Sequence, residues 1–196
     1  MKQLGPAFRI LIFFTAVFGF IYPAIIWACG QIIAPKLARG DFIEKNGQVV
    51  GARMVAQNFT SPKYFWGRPS AVNFDPMASG GSNLGPTSAA LKKAVDEREV
   101  KIRALQHVEG STEIPQDLLF ASASGLDPEI SPEATRFQVD RVAAARGISS
   151  DSVRQMIEAR IVGPQLGFLG EPRVNVLELN LALDELGAPG SGAHSQ

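Results

Sequence analysis

The chain has 196 residues, with 19 Lys+Arg against 19 Asp+Glu and 45% hydrophobic residues. That size allows one ordinary domain plus extras, and the balanced charge points away from nucleic acid as a partner. One cysteine, Cys29, excludes an internal disulfide, and two histidines, His107 and His194, leave a structural zinc site without enough ligands.

Between Arg9 and Lys36 there is no charged residue. A bilayer core needs about 20 apolar residues, and this stretch exceeds that. It reads as a transmembrane helix over 10–34, with Trp27 suited to an interface. Three other readings stay open, one of them a buried helix of a soluble protein. A cleaved signal peptide has a shorter apolar region. A lipoprotein signal would use Cys29, where the sequence around Trp27-Ala28-Cys29-Gly30 loosely resembles a lipobox. Residues 1–9 carry Lys2 and Arg9 and no acid, which fits a cytoplasmic stub. Residues 36–187 then form an extracytoplasmic domain.

Phe42 to Val50 reads as a hairpin, because Asn46-Gly47 supplies the positive φ angles of a type I′ turn. Residues 52–59 are expected to continue as a third strand. Residues 60–87 are rich in Gly, Pro, Ser and Asn and form a long ordered loop. Thr87 or Ser88 then caps a helix whose apolar stripe is Leu91, Ala94, Val95, Ile102 and Leu105. Ser131, followed by Pro132, starts another helix that stops at Gly147. Ser149 or Ser150 starts a third, with Val153, Met156, Ile157 and Ile161 on one face, ending near Gly163. The alternation from Arg173 to Leu179 reads as a strand. The Gly/Ser/Pro tail, 188–196, is expected to be disordered. The sum is an α+β chain: one N-terminal transmembrane helix followed by a small extracytoplasmic α/β domain.

The stretch SGGSNLGPT, Ser79 to Thr87, has the frame of a phosphate-binding loop. Gly80, Gly81, Gly85 and Thr87 are its candidate nucleotide contacts. Pro86 stands where the lysine belongs and removes an N–H as well. The competing reading is a Gly-rich turn packed on the protein or a partner. YFWGRPSA, 64–71, places three aromatics before Gly-Arg-Pro. It fits a hydrophobic plug. It also fits a docking surface, since Tyr, Trp and Arg are favoured interface anchors. On the docking reading the subunit-interface candidates are Tyr64, Phe65, Trp66, Arg68, Ser82 and Asn83. Asp75, Asp127 and Glu129 fit solvated or capping roles better than a cation site. Ser122, Ser124 and Asp127 lie close together but without a nucleophile elbow. No residue is singled out as catalytic, and none as a metal ligand.

Taken together, YFWGRPSA, SGGSNLGPT, IPQDLLFASASGLDPEISPEA (114–134), QVDRVAAARG (138–147) and PRVNVLELNLAL (172–183) resemble the C subunit of the Kdp-type potassium-transporting ATPase. The apolar N-terminal segment matches as well, so the resemblance covers nearly the whole chain. Two positions depart from the pattern: Ala123, where Gly is expected, and Glu129, where His is expected. The resemblance implies a single-span, non-catalytic subunit of a bacterial inner-membrane complex. Its partners would be a potassium-binding channel-like subunit, an ATP-hydrolysing P-type subunit, a small fourth subunit and membrane lipid. It also implies a role in assembly and as a catalytic chaperone that raises ATP affinity. No cofactor would be bound firmly, and ATP would act through the complex. The alternative is a membrane-anchored or lipidated extracytoplasmic binding module with no ATPase partner.

Overall fold

The computed structural model describes residues 3–186 and divides into two compact units, Met1–Ala52 and Arg53–Gln196. The expected disordered tail, 188–196, lies outside the described residues.

In the first unit, one helix runs from Leu4 to Ile33, and its most apolar 18-residue stretch has a mean hydropathy of 2.2. It is long and apolar enough to cross a membrane. Its two α-helical parts, α1 (Leu4–Ala16) and α2 (Tyr22–Ile33), flank a π-helical turn, Val17–Ile21. Pro23 gives a physical reason for that turn. It has no N–H to offer Gly19, and its ring crowds that carbonyl. The backbone widens just ahead of it, and Tyr22 N donates five residues back to Val17 O. A short helix α3 (Pro35–Ala38) leads to the hairpin β1 (Phe42–Lys45) and β2 (Gln48–Ala52). Asn46 (φ 53) and Gly47 (φ 76) make the turn as expected.

The second unit is built on helices. They are α4 (Ala89–Gln106), α5 (Gln116–Leu119), α6 (Pro132–Phe137), α7 (Val139–Arg146), α8 (Ser150–Glu158) and α9 (Val176–Leu186). Two-residue strands β3 (Glu129–Ile130) and β4 (Val174–Asn175) pair antiparallel beside them. The expected N-caps hold: Ser88, Ser131 and Ser149 each accept a backbone N–H three residues on. Gly147 closes α7 in the left-handed region (φ 67). The core gathers Phe65 with Val139 and Val142 of α7, Val153 and Ile157 of α8, Val174, and Leu179 and Leu183 of α9.

Four expectations change. The single helix expected from Ser131 to Gly147 is broken at Gln138 into α6 and α7. The expected third strand over 52–59 does not form: Ala52 ends β2, the backbone then turns, and Ala56 N donates to Leu126 O at 2.9 Å. The expected strand from Arg173 to Leu179 stops after Asn175. Its side chain Oδ1 accepts Glu178 N at 3.1 Å, caps the chain and starts α9. The Leu, Glu and Ala that follow are good helix formers. The stripe expected on α4 is mostly half-exposed, and only Ile102 is buried.

Candidate functional site

The loop before α4 holds the second unit together through its backbone. Asn180 of α9 brackets Phe65: Phe65 N donates to Asn180 Oδ1 (2.8 Å), and Asn180 Nδ2 donates to Phe65 O (2.9 Å). Gln138, between α6 and α7, does the same for Trp66 at 2.9 and 3.1 Å. Two buried amides thus read two consecutive peptide groups as a strand partner would. Arg141 completes the clamp. Its guanidinium donates to Pro62 O, Tyr64 O and Gln138 Oε1, and lies 4.5 Å from the Trp66 ring centroid. It is a buried cation whose two terminal nitrogens are met by carbonyl and amide oxygens and a π face, while its Nε is buried without a hydrogen bond, and it has no carboxylate in an ion pair among the described residues. Burial pushes its pKa down to about 10, so it stays charged at neutral pH.

Tyr64 closes the far end. Its hydroxyl donates to Asp184 Oδ2 (3.0 Å), and Arg146 pairs with Asp184 at 2.8 Å while lying 5.0 Å from the Tyr64 ring. Burial and the carboxylate beside it raise the Tyr64 pKa above 10.0. Arg68 pairs with Asp127 at 3.2 Å, with Asp117 further off at 3.9 Å. Of the interface candidates, Phe65 is fully buried, Tyr64, Trp66 and Arg68 are half-buried, and Ser82 and Asn83 are exposed.

The glycine-rich stretch lies on the 122–125 segment. Gly80 N donates to Ser124 O at 2.8 Å, and Ser79 Oγ reaches the same oxygen. A Cβ on Gly81 would lie 2.9 Å from Ala123 O. Gly125 (φ 68) faces back, where a Cβ would lie 2.6 Å from Val72 Cγ2 and 2.9 Å from Gly80 O. This close backbone approach accounts for the glycines. Gly85 and Thr87 are exposed, and Gly85 O closes a turn by accepting Ser88 N. Among the described residues, no strand leads into Gly80. Glu129 pairs with Arg173 across the β3–β4 ladder at 3.0 Å.

Beside the clamp a cavity of about 230 Å³ opens between the loop and α4. Trp66, Phe59 and Phe74 give it aromatic walls, and Arg68, Arg98 and Lys101 give it positive charge. Among the described residues, no carboxylate lines it.

A second feature escaped the sequence reading. Residues 162–173 form a small hairpin, bridged at Val162–Arg173 and Gln165–Leu169. Its tip exposes Leu166 (83%) and Phe168 (73%). Gly167 and Gly170, both at φ 84, allow the tight reversal. The signal was present in QLGFLG, where apolar residues alternate with glycine. A run of six residues does not say which way its side chains face.

A family model described as "K+-transporting ATPase, c chain" matches residues 4–185. The chain belongs to this family. It is 50% identical over 190 residues to the potassium-transporting ATPase KdpC subunit of Geobacter sulfurreducens, covering 95% of this chain and 99% of that one. It is 50% identical over 188 residues to the protein of the same name from Burkholderia ambifaria, covering 94% and 97%. The one from Geotalea uraniireducens is 46% identical over 190 residues, covering 95% and 99%. Within the family frame, the motifs at 64–71, 79–87 and 138–147 are the parts that make the clamp and its glycine contact.

Proposed function

We propose that this chain is a non-catalytic accessory subunit that supports assembly of the potassium-transporting ATPase and acts as its catalytic chaperone. The observation that carries the reading is the division of labour in the second unit. The aromatic-arginine loop is spent internally on Asn180, Gln138 and Arg141, whereas Leu166 and Phe168 stand exposed on a small hairpin. A single-span chain that keeps large apolar side chains outside its own core is built to be covered by a neighbour. The partners are the channel-like potassium subunit, the ATP-hydrolysing subunit and the small fourth subunit.

The N-terminus lies in the cytoplasm and the second unit outside, in the inner membrane. Lys2 and Arg9, on the N-terminal side of the uncharged run, support this orientation. Docking then involves the hairpin together with the exposed Ser82 and Asn83, while Tyr64, Phe65, Trp66 and Arg68 hold the presenting surface in shape. On this reading the glycine-rich stretch serves packing rather than nucleotide binding, which the engagement of the Gly80 N–H by Ser124 O supports. The effect on ATP is a coupling through the assembly, of about 1–3 kcal/mol or roughly 5–150-fold in affinity.

The test is purification of the tagged full chain from native membranes in mild detergent, with assay of potassium-stimulated ATP hydrolysis. Larger subunits in tow, and an ATP affinity that falls when this chain is removed, are the expected result. A lone chain under conditions where the ATPase is expressed and intact would overturn it.

A further inference from the structure

The charges of α4 are distributed unevenly. Three of its acids are engaged by bases one turn away: Asp96 by Lys92 (2.7 Å), Glu97 by Lys93 (3.9 Å) and Glu99 by Arg103 (2.8 Å). Arg98 and Lys101 are left over. Arg98 Nη1 donates to a neutral group, Leu119 O, at 2.8 Å. Lys101 Nζ lies 5.7 Å from the Trp66 ring and has no carboxylate within 4.0 Å among the described residues. The two cations are three residues apart, so they share one face of the helix, and both line the cavity. The third cation there, Arg68, is compensated by Asp127. Its Nε is buried and makes no hydrogen bond.

Two uncompensated positive charges in a partly enclosed space repel each other and raise the local potential. An anion relieves both costs. The walls narrow its chemistry further. Trp66, Phe59, Phe74 and Ile102 offer ring faces and apolar surface, and a small hydrated ion would leave them wet. Ligand pockets run from about 300 Å³ upward. At about 230 Å³ this one suits a ligand of single-ring size rather than a segment of protein.

We infer that the cavity between the 57–69 loop and α4 binds a small planar carboxylate. Its anionic head lies between Arg98 and Lys101, and its flat apolar body lies against the aromatic wall.

The full chain in neutral detergent tests this, with Trp27→Phe leaving Trp66 as the one tryptophan reporter. Benzoate, its neutral counterpart benzamide, and inorganic phosphate are titrated in turn. Benzoate is expected to give a saturable change in Trp66 emission, with benzamide and phosphate each weaker by about tenfold or more. Lys101→Gln alters an exposed side chain outside the clamp, and is expected to weaken benzoate by about tenfold. The inference is overturned by any of three results: no saturable change with benzoate, an equal response to benzamide, or unchanged benzoate binding in Lys101→Gln. None of these readouts uses ATP hydrolysis, so failure here leaves the accessory-subunit reading untouched.

Discussion

Asn180 and Phe65 exchange two hydrogen bonds, at 2.8 and 2.9 Å, across 115 residues of sequence. The amide does what a neighbouring strand would do for the Phe65 peptide, in a place where no strand runs. Both groups are buried, so neither can turn to water. Asn180→Ala removes one partner from each and leaves a buried N–H and a buried C=O unpaired. The expected loss is about 2–5 kcal/mol. Urea unfolding of the full chain carrying Trp27→Phe, followed by Trp66 emission, measures it. A loss below about 0.5 kcal/mol would mean that water replaces the amide, and that the clamp is not structural.

Arg141 tests the same clamp from the other side. Its planar fork serves three oxygens and stacks on Trp66 at once. Lysine keeps the charge but has a single nitrogen and no flat face. Arg141→Lys is expected to cost about 2–3 kcal/mol in the same unfolding experiment. If it unfolds like the parent chain, charge alone holds the loop, and the geometric account fails.

Gly125 faces a steric limit rather than a polar one. Its φ of 68 and the 2.6 Å approach of Val72 Cγ2 leave no room for a methyl group. Gly125→Ala is expected to destabilise by about 2–4 kcal/mol, combining backbone strain and overpacking. Gly163→Ala, where nothing lies within 4 Å of the added carbon, is the neutral control. Similar melting of the two variants would count against the close contact between the 79–81 and 122–125 segments.

Tyr64 makes stability depend on alkaline pH. Its pKa is raised, first by burial and then by the Asp184 carboxylate, so the folded chain holds the phenol proton more tightly than the unfolded one. The Tyr64 contribution is therefore complete below pH 10.0 and is lost as pH rises through the higher folded value. Unfolding measured between pH 9 and 11, at about half-unit steps, should fall more steeply for the parent than for Tyr64→Phe. Parallel curves would remove Tyr64 as the titrating group.

The hairpin prediction concerns assembly. Phe168→Glu places a charge on an exposed tip and leaves the buried core alone. Melting of the isolated chain should change by no more than about 0.5 kcal/mol. Recovery of the other subunits on the tagged chain should drop severalfold. Full recovery would move the docking surface elsewhere.

The sequence by itself determined the elements whose causes are local. The apolar run before Lys36 fixes a long helix, Asn46-Gly47 fixes a turn, and Ser88, Ser131 and Ser149 fix helix starts. Each depends on residues a few positions apart. The motifs also identified the family, because their order along the chain is a property of the sequence alone.

Tertiary structure decided the rest. Val174 to Leu179 alternates like a strand, yet becomes mostly helix because Asn175 caps it and the core accepts α9 on several sides. YFWGRPSA fitted a plug first, with a docking surface as the alternative. Only the approach of Asn180, Gln138 and Arg141, more than 70 residues away, commits its backbone to the interior. The cavity beside α4 was equally hidden. The sequence lists every charge on that helix, but which bases are left without an acid depends on which side chains can reach one another in space.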